Sequence, residues 1–260
     1  MNLESAGAAT ADLALCRSVL YEALAIGFRP PAAGGIERLT GAGTGAGLRA
    51  AAACLAPGLE ERVGDLVRAA GTGVDELEAA RLRLFGHTGR GRVPPYETEY
   101  GEKDIFQQPQ ELADVAGFLC AFGLAIRPDE HERIDHVSCQ CEFLGFLARK
   151  EAHALEAGDQ AMLEETVKAE RLFLRDHLAR FAPAFAGGLE REDAGGFHGA
   201  LGRLLLAFLA FDSSRLGVQL GTATLSLRLA PVDDATPIGC ATVDCGAGGP
   251  GGCGGEHEPD

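Results

Sequence analysis

A chain of 260 residues with 46% hydrophobic and 23% charged side chains can bury a sizeable core. Its composition is rich in Leu and Ala, lacks Trp and is poor in β-branched residues, which predicts an all-α protein. A net charge of −15, from 38 acidic and 23 basic side chains, argues against nucleic acid and anionic membrane surfaces as partners and favours a cationic peptide.

The start, Met1-Asn2-Leu3-Glu4, lacks the basic and apolar regions of a secretory signal, and no window approaches the ~18 consecutive apolar residues of a membrane-inserted helix. A cytoplasmic protein with no membrane insertion is therefore expected. Leu13, Cys16, Leu20, Leu24 and Phe28 recur at helical spacing and predict a first helix, ended by Pro30-Pro31 and Gly34-Gly35. Residues 41–53 are mostly Gly and Ala and fit a flexible link or a weak helix equally well. Segments 58–70 and 74–86 read as two helices around Gly71-Thr72-Gly73.

Residues 87–108 show no sustained period. They hold His87, several glycines, Pro94-Pro95 and two tyrosines, and a loop of this length inside a domain is expected to be functional. Helices are expected again at 109–124 and 130–157. The second opens on Asp129 with Glu132 three residues on, in the manner of a capping box, and carries the apolar stripe Ile134, Val137, Cys141, Leu144 and Ala148. Two more are expected near 160–181 and 192–212, the latter with Phe197, Leu201, Leu204, Phe208 and Phe211. Short links between such elements predict a single helical-bundle domain over residues 1–230. From Pro231 onward there are six acidic residues, no Lys or Arg, and a glycine-rich run, so residues 231–260 are expected to be a flexible, disordered tail.

Few constellations carry chemistry. Asp135-His136 is the sharpest polar pair, but sequence neighbours on a helix do not face each other. The residues alone favour Asp135 satisfying first-turn amides and His136 packing at the helix boundary. Tyr96 behind the rigid Pro94-Pro95 offers an apolar ring with a polar tip, suited to gripping a peptide or to plugging the core under a turn. Leu84 and Phe85 fit core positions at a helix end. Six acidic residues and one basic residue lie between Glu97 and Asp114, followed by Asp129, Glu130, Glu132 and Asp135 against Arg133. If loop and helix start share a surface, that surface is acidic.

Of the eight cysteines, those at 16, 54, 120, 139 and 141 are expected to act mostly as small packing residues, and the whole set is too scattered for a disulfide scaffold. Cys240, Cys245, Cys253 and His257 are weak metal candidates, because their spacing matches no standard site. The glycines of 41–47 lack the Lys of a phosphate loop, and no nucleophile–base–orienter set assembles, so neither an enzyme nor a bound cofactor is expected.

The block Leu84-Phe85-Gly86, Pro94-Pro95-Tyr96-Glu97-Thr98-Glu99-Tyr100, Ala116-Gly117-Phe118, Glu132-Arg133-Ile134-Asp135-His136 and Cys141-Glu142-Phe143-Leu144-Gly145-Phe146-Leu147 resembles the signature of the TorD/DmsD/NarJ family. These are cytoplasmic chaperones that assemble molybdenum-cofactor oxidoreductases. The likeness extends to Phe173-Leu174-Arg175-Asp176-His177-Leu178 before Phe181 and Pro183. Thr98 stands where Ser is more usual and keeps the hydroxyl.

The resemblance implies a TorD-like helical bundle, monomer or homodimer, without catalytic residues. It would bind the apo catalytic subunit of a molybdopterin oxidoreductase, and that subunit's twin-arginine signal peptide if present, aiding cofactor insertion and delaying export. The client-binding role is carried onto Pro95, Tyr96, Thr98, Asp135 and His136, with Leu84 and Phe85 as support. The Gly/Ala-rich segment and the Cys-bearing tail depart from the family and leave the client open. The alternative is a helical metal-binding or redox accessory protein acting through Cys240, Cys245, Cys253 and His257.

Overall fold

Helix α1 (Leu3–Phe28) buries Leu20, Leu24 and Phe28 of the expected apolar stripe. In the computed structural model, which describes residues 3–86, 91–101, 107–125 and 132–228, this helix buries Ala14, Arg17, Tyr21, Leu24 and Phe28. Leu13, expected on the buried stripe, is 40% exposed. The true face contains a charged residue, and a search for apolar repeats passes over it.

The Gly/Ala-rich stretch is helical. After α2 (Ala33–Thr40), α3 (Ala42–Leu55) buries Leu48, Ala51, Ala52 and Leu55, so its small residues present a core face. Helix α4 (Leu59–Ala69) follows Gly58, whose φ of 85° an L side chain would resist, and a 3-10 turn at Ala70–Thr72 leads into α5 (Val74–Phe85). Next come α6 (Gln107–Ala121), α7 (Val137–Ala157) and α8 (Gln160–Phe173).

Two boundaries differ from expectation. Helix α7 starts at Val137 and not near 130. His136, in extended backbone, is its N-cap, and Nδ1 accepts from the Ser138 N–H at 3.1 Å. Glu132 therefore precedes the helix, and Asp129 lies outside the described residues. The helix expected to end near 181 runs on instead, through a π-turn at Leu174–Leu178 into α9 (Ala179–Glu192), with Pro183 inside it.

A proline there has no N–H for the Ala179 carbonyl, and the chain supplies another donor. Gly221 N–H reaches that carbonyl at 2.9 Å, and a Cβ at position 221 would collide with the Arg180 carbonyl oxygen. The segment after α10 (Phe197–Leu216) is thereby seated on α9.

Helices α1 and α7 form the central pair, with α8 on α7, α10 on α9, and α3 and α4 beside them. The central pair is close because Gly145 faces α1: a Cβ there would lie 3.2 Å from Tyr21 Cβ. Phe28, Phe85, Phe181, Phe185 and Phe208 fill the core between layers. Of the five cysteines described, Cys141 is fully buried, Cys16 and Cys139 are partly buried with Cys16 packed against the core, and Cys54 and Cys120 are exposed, so packing accounts for three of them and not for the other two.

Inside this bundle sits a network of buried charge. Arg17 pairs with Glu151, with Glu170 Oε2 at 2.8 Å and with Asp212 Oδ1 at 2.8 Å. Arg215 reaches the same three carboxylates at 3.4, 2.5 and 2.9 Å, and Tyr21 donates to Asp212 Oδ2 at 2.6 Å. The network ties α1, α7, α8 and α10 together. Three carboxylates face two guanidiniums, and burial, opposed by Arg17, pushes the Glu170 carboxyl up to about 7. Burial also raises Asp212, but the two arginines outweigh it and hold that carboxyl low.

Met1–Arg228 form one structural unit. Residues 229–260, including the expected tail and Cys240, Cys245, Cys253 and His257, lie outside the described residues. Among the described residues no helix is long and apolar enough to cross a membrane, and no group of three or more His, Cys, Asp or Glu could hold a metal ion.

Candidate functional site

The loop between α5 and α6 is held by backbone bonds along its described length. Gly91 N–H and Val93 N–H donate at 2.9 Å to the carbonyls of Phe85 and Leu84, satisfying the open C-terminal turn of α5. Pro94-Pro95 then keeps the chain extended. Pro95 carbonyl accepts from Val137 N–H at 2.9 Å and Glu97 N–H donates to the Asp135 carbonyl at 3.1 Å, an antiparallel bridge pairing Tyr96 with His136. After a 3-10 turn at Glu97–Glu99, a second bridge pairs Tyr100 with Leu227. The loop is thus clamped between the entry to α7 and the segment that follows α10.

Side chains lock the same junction. Asp135 is fully buried and accepts from Thr98 N–H at 3.1 Å and Thr98 Oγ1 at 2.8 Å. Arg133 closes on it with Nε to Oδ1 at 3.0 Å and Nη2 to Oδ2 at 2.8 Å, and lays its guanidinium over the Tyr96 ring at 4.3 Å. His136 packs edge-on to that ring, centroids 5.2 Å apart. Tyr96 is half-buried and donates its hydroxyl to Glu132 Oε2 at 2.7 Å; burial and that carboxylate push its phenol pKa up.

Beneath the turn lies Glu97, fully buried. Gln140 Nε2 donates to Oε2 at 2.7 Å, Arg180 Nη2 to Oε1 at 2.7 Å, and His177 Nδ1 lies 3.2 Å from both oxygens. The π-turn inserts one extra residue into the helical course and so re-aims His177 towards Glu97. Arg180 also pairs with Glu111 at 3.0 Å, and Arg228 meets Glu111 through two bonds at 2.8 and 2.9 Å and the Thr98 carbonyl at 3.0 Å. A cleft of 400 Å³ opens between α6 and the π-turn over this cluster.

His136 is a neutral cap. Burial lowers its pKa to about 4, with Glu132 and Asp135 opposing, and His198, buried against Phe85 and Phe197, is lowered to about 4 for the same reason. Both native values lie below the 6.5 of the unfolded chain, so the unfolded state binds more protons between those values. Their contribution is complete above pH 6.5 and is lost as the pH falls towards 4. Glu170, raised from 4.5 to about 7, acts in the opposite sense but is one group against two. The urea midpoint should therefore fall on acidification from neutral pH. In His136→Asn, which keeps an N-capping acceptor, it should fall less.

The family model described as nitrate reductase delta subunit matches residues 50–187, more than half of the chain. The chain belongs to the TorD/NarJ family. A chaperone protein TorD of Vibrio cholerae serotype O1 is 31% identical over 139 residues, covering 53% of this chain and 60% of that protein. Chaperone proteins TorD of Photobacterium profundum and Vibrio vulnificus are 28% and 26% identical over 141 residues, each covering 54% of this chain and 64% of the relative. The chain thus spans less than two thirds of the length of these relatives.

The TorD/NarJ match takes in the whole loop, the α7 cap and the π-turn. Pro95, Tyr96, Thr98, Asp135 and His136, far apart in the chain, meet at one junction. Leu84 and Phe85 do not join it: their side chains are in the core and only their carbonyls touch the loop. Asp135 and His136 are buried behind Tyr96 and Arg133. Glu97, Glu111, Glu132 and Asp135, counted by sequence as an acidic face, are largely bound to arginines, Tyr96 or His177. Arg180, Arg228 and Gln140 gave no signal of their own in the chain, Glu111 stood out only as one charge of the acidic run, and His177 stood in the run similar to the family's.

Proposed function

We propose that this TorD/NarJ-family protein is a non-enzymatic, cytoplasmic chaperone of a molybdopterin oxidoreductase. It binds the apo catalytic subunit, and its twin-arginine signal peptide where there is one, so that cofactor insertion precedes export. The observation that carries the reading is the clamped junction around Tyr96, in a chain whose relatives are named chaperone protein TorD. An aromatic ring backed by a guanidinium and a rigid Pro-Pro turn is a preorganised contact for a peptide, and it needs no nucleophile.

In this reading Tyr96 touches the client, Pro95 presents it, and Thr98, Asp135 and His136 hold it in place. The test is a fluorescence-anisotropy titration of the full chain with a labelled peptide carrying two adjacent arginines ahead of an apolar run. Saturable binding is expected, and Tyr96→Ala should weaken it about tenfold, the scale of one buried aromatic contact. A chain that neither binds this peptide nor co-purifies with an apo molybdopterin subunit would end the proposal.

A further inference from the structure

Packing explains the half-buried Cys16, which lies against the core from α1, but not Cys54, which α3 presents to solvent. The two belong together. Helix α3 packs on α1, and the small Ala51 and Ala52 on its buried face let the backbones approach. At the C-terminal end of α3, Cys54 meets Cys16 across that seam, with the two thiols in hydrogen-bond contact. Asp12, one turn before Cys16 on α1, is a charged neighbour of the pair.

Thiols that touch from two different helices have little distance left to close. A disulfide needs Cβ atoms about 3.5–4.5 Å apart, which sulfur atoms in hydrogen-bond contact can reach by side-chain rotation. Access divides the roles. Cys54 is open to a small oxidant. Cys16 is half-buried, and burial, then Cys54 and Asp12, raise its thiol pKa, so it holds its proton and does not meet the oxidant first.

We propose that Cys16 and Cys54 form an oxidation site, at which a peroxide converts the two thiols into a disulfide that staples α1 to α3. The Cys54 sulfur attacks hydrogen peroxide, the O–O bond breaks, and the departing hydroxide takes the Cys54 thiol proton, leaving a sulfenic acid and one water. The Cys16 sulfur then attacks the Cys54 sulfur. The S–O bond breaks, the S–S bond forms, and the departing hydroxide leaves with the Cys16 proton as the second water. The thiols together lose two electrons, and these reduce one peroxide to two waters. In a reducing compartment such a bond forms under oxidant and is reversed afterwards, as in a sensor and not in a scaffold.

The test treats the reduced full chain with hydrogen peroxide, blocks the remaining thiols with iodoacetamide and maps tryptic peptides by mass spectrometry. The expected product joins residues 1–17 to residues 50–62, is lost on treatment with dithiothreitol and is absent from Cys54→Ser. The bond closes the loop from Cys16 to Cys54, which includes α2, so the thermal midpoint should rise by about 5–10 °C and fall back on reduction. Cys54→Ser changes an exposed side chain, so its untreated midpoint should match the reduced parent's, and peroxide should not raise it. Three results would each overturn the proposal: sulfinic or sulfonic acid at Cys54 without the link, a link from Cys54 to another cysteine or to a second copy on a non-reducing gel, or the linked peptide with an unmoved midpoint.

Discussion

Arg17→Met is expected to lower the unfolding free energy by about 3–5 kcal/mol, the scale for removing one partner of a buried ion pair. Arg17 is almost fully buried and, among the described residues, is the one cation of α1 that pairs with Glu151, Glu170 and Asp212. Without it three carboxylates converge on Arg215 alone, and methionine fills the volume without supplying charge. The deficit should depend on pH. The Glu170 carboxyl, already raised from 4.5 to about 7, rises further when Arg17 no longer opposes burial. A group raised in the folded state contributes stability that is present at low pH and lost as the pH climbs through its folded value. The difference between variant and parent should therefore be larger at pH 8 than at pH 6. Urea titrations at the two values measure it, and a variant within ~1 kcal/mol of the parent at both would show that the network holds nothing together.

Asp135→Ala combined with His136→Ala is the second large effect. Removing the Asp135 carboxylate leaves the Thr98 amide without its acceptor and frees Arg133, and removing the imidazole uncaps α7. Arg133 is 43% exposed and can find water, so the loss should sit near the lower end for a buried charge pair, about 2–3 kcal/mol, with a further ~1 kcal/mol for the cap. Helix content, read by far-UV circular dichroism, should stay, because the core of α7 is untouched. Binding of the arginine-pair peptide should weaken, since Tyr96 loses the imidazole packed edge-on to its ring and the carboxylate that holds Arg133 over it. Unchanged affinity together with an unchanged urea midpoint would mean that the junction positions nothing.

How much of this was readable in the chain depends on the kind of interaction. Apolar periodicity found the helices at α4, α5, α7 and α10, because burial of one face leaves a repeating trace. In α1 it placed Leu20, Leu24 and Phe28 on the buried face but put the exposed Leu13 there too and passed over the buried Arg17, and it missed the continuation of α8 into α9, where Pro183 reads as a stop. That stop is cancelled by Gly221, a donor from a segment beyond α10, which no local rule anticipates. Turn chemistry pointed to the Pro94-Pro95-Tyr96 loop, and the family likeness to Asp135 and His136, but neither could say that both meet or that the acid-base pair would lie buried behind the ring.

The chain by itself determined an all-α class, the place of the Pro94-Pro95-Tyr96 turn and the family. Those rest on composition, turn residues and motif, which are local properties. Only the tertiary structure decided what the charges are for. Glu97, Glu111 and Asp135 look alike in a list of acidic residues beside Asp114, yet each of the three is bound inward by Arg180, Arg228 or Arg133, while the Asp114 side chain is 62% exposed. Whether a charge is spent within the fold or left for a partner depends on distance and burial between segments far apart in sequence, and those exist only once the helices have packed.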